Sequence, residues 1–136
     1  MTENGLVFGT PDYEKRDIRV SKTDLEILIN ADSILSNEDV WLKDSVRSCN
    51  ESSKLNLYCV LEKSSMEVMG KYIHRQAALQ EVRFAIDDRY RERWDKHRLA
   101  DFNGHPSTNF TDIKSVIELA INRVKKKLES YNKQDI

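Results

Sequence analysis

Apolar positions recur at helical spacing along most of the chain, and most regularly toward its end. Ile113, Val116, Ile117, Ala120, Ile121, Val124, Leu128 and Tyr131 line up as one almost unbroken stripe, which predicts a core-facing helix over 111–131 capped by Ser107 or Thr111. The stretch 76–100 carries a second stripe. At about 100° per residue, Ala78, Leu79, Val82, Ala85, Ile86 and Tyr90 share one face, and the spacing predicts a single helix. A third helix is predicted over 21–35, capped by Ser21 or Thr23, with Leu25, Leu28, Ile29 and Leu35 facing inward. A fourth follows Ser36 to about residue 50 and presents Val40, Trp41, Val46 and Cys49.

Residues 54–70 support two periods. Leu55, Leu57, Cys59 and Leu61 alternate as in a strand, whereas Leu57, Val60, Leu61, Ser64, Ser65 and Val68 suit a helix. The pattern runs to Met69 without a turn residue, and Gly70 then punctuates it, which favours the helix. Met1 to Val20 holds only the short patches Leu6-Val7-Phe8 and Ile18-Arg19-Val20, so 1–20 reads as an arm and 21–136 as a helical domain. The expected architecture is mainly α, a single-domain bundle of about five helices with an N-terminal arm. The alternative is α+β, with a small sheet built from residues 5–8, 17–20 and 54–61.

The second stripe ends in unusual chemistry. Arg89 and Arg93 continue its centre and His97 its edge, at i, i+4 and i+8. Arginine does not shed its charge in a protein, so an inward one must reach water, pair with a carboxylate or hold an anion. Asp32 interrupts the apolar stripe of 21–35 and is the expected structural partner. If the site instead takes a ligand, the residues that would hold an anion are Arg89, Arg93 and His97, with Tyr90, Asp101 and Asn103 beside them. His97, Arg93 and His105 would then be the catalytic candidates.

Composition adds bounds. Charged residues make up 33%, hydrophobic ones 39%, and four Gly with two Pro favour helices over a turn-rich β fold. Net charge is −1, with nine acids against four bases over 1–40, nine against twelve over 41–100 and five against six over 101–136. An acidic N-terminal part is thus expected to lie near a basic later one. The near-neutral total and mixed-sign faces argue against recruitment of nucleic acid or an anionic membrane. No apolar run approaches transmembrane length, no leader pattern opens the chain, and Cys49 and Cys59 read as free thiols of a reducing cytoplasm. No phosphate loop, nucleophile elbow, zinc spacing or calcium loop occurs, so neither metal nor cofactor is expected.

The Arg91-x5-His97 spacing is similar to the Arg-x(4–6)-His signature of HEPN-type helical RNases, which share this size and class. The resemblance covers two residues, and Glu92 stands at the position after the arginine where that family has its usual polar residue. It implies metal-independent RNA cleavage, in which an arginine stabilises the developing phosphorane charge while a histidine moves protons. The leading reading is instead a small intracellular helical binding or regulatory protein. It would act through a protein or small-anion surface, with a protein partner or a second copy as possible company. A nucleic-acid module stands third.

Overall fold

The computed structural model describes residues 9–49 and 53–134. Five α-helices carry the fold: α1 (Lys22–Ile34), α2 (Leu57–Met69), α3 (Ala77–Tyr90), α4 (Arg98–Gly104) and α5 (Phe110–Gln134). α1 packs on α2 and α5, α3 packs on α5, and α4 wedges against α2 and α3. Three ties between α3 and α5, Tyr90 with Asp112, Asp88 with Arg123 and Glu81 with Lys127, run in opposite chain directions and make the two helices antiparallel. Between them lies a core of Leu79, Val82, Ala85, Ile86, Ile113, Val116, Ile117, Ala120 and Val124, while Ile121 is only partly buried.

The mainly α bundle of five helices is what the periodicity predicts, but two of its members differ. The predicted helix after Ser36 does not form. Asn37 caps only a short 3-10 turn, Glu38–Val40, and from Trp41 the chain is irregular or extended. Leu42 N–H donates to the Leu55 carbonyl and Leu55 N–H to the Val40 carbonyl, giving one isolated parallel bridge, Trp41 with Leu55. Val46 accordingly faces out at 51% exposure. Extended backbone survives here because a side chain satisfies it. The Nδ2 of Asn103 donates to the Leu42 carbonyl (3.0 Å) and the Asp44 carbonyl (2.7 Å), while its Oδ1 accepts from Trp41 Nε1 (2.7 Å) and Leu57 N–H (3.0 Å). The segment also lies against Gly104, where a Cβ would meet Ser45 Oγ at 1.9 Å.

The predicted 76–100 helix is two helices. α3 stops at Tyr90, a 3-10 turn follows at Arg91–Arg93, and the chain reverses before α4. Past Ile86 the face keeps only the half-buried Tyr90, and other bonds take over. Trp94 Nε1 donates to Asp87 (2.7 Å), and Asp101 Oδ2 accepts from the N–H groups of Asp95, Lys96 and His97 at 3.1, 2.9 and 3.1 Å. These three donors start α4 and outweigh the effect of burial, which by itself would raise the carboxyl, so Asp101 titrates below the usual range.

Local chemistry explains the remaining boundaries. At the start of α1, Ser21 N–H donates to Asp24 Oδ2 (2.8 Å), and the buried Asp24 also accepts from Gln76 and from Ala78 N–H, tying the N-termini of α1 and α3. The α1 stripe is rotated from expectation: Ile27, Leu28 and Ala31 are buried and Ile29 is 46% exposed. Residues 54–61 form no sheet. Asn56 accepts from Cys59 N–H and opens α2, and Gly70, at φ 76°, closes it in the left-handed conformation. Ser64 donates to the Ile27 carbonyl, so small side chains let α1 and α2 approach closely. Asn109, neither Ser107 nor Thr111, caps α5 by accepting from Asp112 N–H (2.9 Å).

Among the described residues no strand forms; 17–20 is not one, and 5–8 lies outside them. Cys49 and Cys59, expected as free thiols, form a disulfide that fastens the 41–49 segment to the first turn of α2. The compartment argument drawn from free thiols therefore does not hold. No helix among the described residues is long and apolar enough to cross a membrane.

Candidate functional site

Arg83 is the most informative residue in the molecule, and it does not belong to the arginine pair expected from the stripe. It lies on α3, 4% exposed, one residue past the centre of the apolar face. Its Nη1 donates to the His74 carbonyl (3.0 Å) and to the Gln80 side-chain oxygen, both neutral acceptors. No carboxylate pairs with it among the described residues. Burial pulls its pKa down to about 10; the charges of Arg75 and Arg98 push the same way, against Tyr72 and Glu14.

The cavity that Arg83 lines is about 220 Å³ and unusually basic. α4 contributes Arg98, the turn before it Lys96 and His97, the α2–α3 junction His74 and Arg75, and the 41–49 segment Arg47. Five permanent cations and two imidazoles thus face a single acid, Glu14, among the described lining residues. Arg83 is the buried inner wall, and the exposed Arg47, His74, Arg75, Lys96 and His97 form the rim. Tyr58 adds an aromatic wall, edge-on to Tyr72, whose hydroxyl shares a 3.0 Å hydrogen bond with His74 Nδ1. Burial and the Tyr58 contact raise the Tyr72 phenol. His74 is lowered, first by partial burial and then by the charges of Arg83, Arg75, Arg47 and His97. The site therefore disfavours added positive charge, and a bound anion would relieve this.

Most other residues singled out from the sequence are engaged elsewhere. Arg89 is exposed near the end of α3, beyond the core that was to hold it. Arg93 is partly buried and paired, but with Asp112 (2.9 Å) at the start of α5; its guanidinium lies 4.3 Å from the centre of the Tyr90 ring. Asp32 is ion-paired with Lys114 (2.8 Å), because α1 packs on α5 and not on the end of α3. Tyr90 stacks on Phe102 and donates to Asp112. Asn103 is fully buried with all its bonds made to the protein, and Asp101 starts α4. His105 lies with Arg93 and Asp101 around a separate shallow depression. Arg91, from the Arg-x5-His spacing, points outward, 68% exposed, against Asp87 and Trp94. Of the expected site residues, His97 alone lines the basic cavity.

No family model, curated protein or solved structure matches this chain.

The cavity was hard to read from the sequence because its residues come from six separate stretches. Only the adjacency of His97 and Arg98, and of His74 and Arg75, hinted at clustering. Arg83 itself could have been found: it is a charge flanked by Val82 and Phe84 within the apolar run, and the wheel places it toward the edge of the stripe.

Proposed function

We propose that the chain is a binding protein for a small, phosphate-bearing anion, held in the cavity walled by Arg83, Arg98 and Arg75. The observation that carries this is the buried Arg83, whose acceptors are neutral, in a cavity with five permanent cations against one acid. A buried guanidinium without a counter-charge is costly, and a phosphate offers the bidentate acceptor geometry that matches its fork. The volume is below the range of about 300–1,000 Å³ for drug-sized ligands, which favours a small anion over a polymer. An N-terminal arm over 1–20 remains part of this proposal, supplying Glu14 to the rim.

Inorganic phosphate, titrated into the protein and followed by NMR, should raise the pKa of His74, because the anion offsets the neighbouring arginines that lower it. Arg83→Met removes the charge while keeping an apolar stem of similar length. It should weaken phosphate binding by about tenfold or more while preserving the fold, since no carboxylate is stranded. Unchanged His74 titration in saturating phosphate would sink the proposal.

One observation favours a second reading, metal-independent phosphodiester cleavage. Two imidazoles, His74 and His97, line the same cavity as the arginines, so proton donor, proton acceptor and charge stabiliser are all available there. In this reading Arg98 and Arg83 take the part that the sequence spacing gave to Arg91. Cleavage of a labelled RNA in EDTA, abolished in both His97→Ala and His74→Ala, is the expected result; cleavage that survives both changes would exclude it.

A further inference from the structure

We propose that Glu14 is a built-in carboxylate occupant of this cavity and sets the threshold an incoming anion must exceed, so that dianionic phosphomonoesters enter where phosphodiesters and carboxylates do not. The inference rests on the phosphate-site reading above. Glu14 is the single acid among the described lining residues, and it ends a three-residue 3-10 turn, Asp12–Glu14. Its carboxylate pairs with Arg98 and lies 3.6 Å from Arg75. Arg98 retains a second acid, Asp87 at 2.8 Å, so it stays oriented when Glu14 leaves. The cavity thus already holds one negative charge on two of its guanidiniums.

That arrangement sets a threshold for any incoming anion. A monoanion replacing Glu14 exchanges one carboxylate–guanidinium pair for another and still loses its translational freedom. A phosphomonoester dianion brings an additional charge and three acceptor oxygens, enough for Arg98, Arg75 and Arg83 together. Displacement also loosens the turn. Besides Glu14, the turn is fastened by Gln80 donating to the Tyr13 carbonyl and by Arg75, 4.5 Å from the centre of the Tyr13 ring. Arg75 serves both the ring and Glu14, so a ligand that captures Arg75 together with Arg98 removes both of these fastenings and leaves the Gln80 bond.

The next anchors begin at Arg16, paired with Asp88 at 2.9 Å, and continue with Lys127, which donates to the Arg16 and Ile18 carbonyls. Release therefore stops at Arg16, and Pro11 to Lys15, with Gln80 still on the Tyr13 carbonyl, is the part that loosens.

Calorimetric titration of methyl phosphate and dimethyl phosphate into the wild-type chain and Glu14→Gln tests this. The work is done near pH ~8, where a phosphomonoester is dianionic. The wild-type chain should prefer methyl phosphate, and Glu14→Gln should bind both probes about tenfold more tightly with the ratio between them unchanged. Glu14→Asp, which keeps the charge but withdraws it, should move the same way by less. Hydrogen exchange should rise in methyl phosphate at the amides of Asp12 to Lys15 and stay unchanged from Ile18 on. Equal affinities in wild type and Glu14→Gln would overturn the inference and leave the phosphate site standing. Binding lost in Glu14→Gln would make Glu14 a direct ligand contact and overturn it as well. No binding of either probe to any of the three proteins would overturn both.

Discussion

Asn103→Ala lowers the unfolding free energy by about 3–5 kcal/mol, because each buried partner left without a hydrogen bond costs on the order of 1–3 kcal/mol and several relax only in part. Asn103 is 0% exposed and joins four groups: Trp41 Nε1, Leu57 N–H and the carbonyls of Leu42 and Asp44. It therefore fastens α4 to the start of α2 and to the irregular 41–45 segment, neither of which has a helix ladder to fall back on at that point. Asn103→Asp is a sharper version. It keeps the acceptor for Trp41 and Leu57 but turns the Nδ2 donor into an oxygen facing two carbonyls. Urea unfolding of the three proteins by circular dichroism checks the expectation. A loss below about 1 kcal/mol for both variants would mean that these bonds are not made in solution.

Asp112→Asn should cost about 2 kcal/mol at neutral pH, and the cost should vanish in acid. Asp112 and Arg93 are each 18% exposed, and Asp112 also accepts from Tyr90 and from Asn109 N–H. Burial alone would raise its pKa. The Arg93 hydrogen bond, the Asn109 and Tyr90 bonds and the Arg93 charge outweigh it, and the folded carboxyl titrates below 3.8. A depressed folded value means that the unfolded chain binds more protons, so stability rises with pH. The contribution is complete above the unfolded value and is lost as pH falls through the folded one. Wild type and Asp112→Asn should thus diverge at pH ~7 and converge as pH falls through the lowered folded value of Asp112. A gap independent of pH would assign the effect to packing. Asp88, lowered by Arg16 first and also by Arg123 against the effect of burial, titrates in the same direction and contributes to the same acid limb.

The two expected results concern the places where the chain leaves its helices, and there sequence and structure part company. Periodicity alone determined the class and the strongest helix. The face from Ile113 to Val124 has no competing period, and burying it against Val82 and Ile86 requires nothing from elsewhere in the chain. Capping residues and Gly70 likewise placed the start of α1 and the end of α2 near where they occur, since those bonds are local.

What the pattern could not determine was where long-range bonds outcompete the helix. Trp41 to Cys49 has helical spacing, yet Asn103, about sixty positions later, supplies the extended backbone with partners that no local reading contains. The stripe through Arg89 and Arg93 continues on the wheel, but a wheel carries no information on where the neighbouring helix ends. Only packing on α5 decided that full burial stops at Ile86, with Tyr90 half-buried beyond it, and Asp112 then captured Arg93. The basic cavity is the extreme case. Glu14, Arg47, His74 and Arg98 are unremarkable one by one in a chain with net charge −1. Charge sums over segments are blind to direction, and the tertiary fold alone turned these cations toward one another around a buried guanidinium.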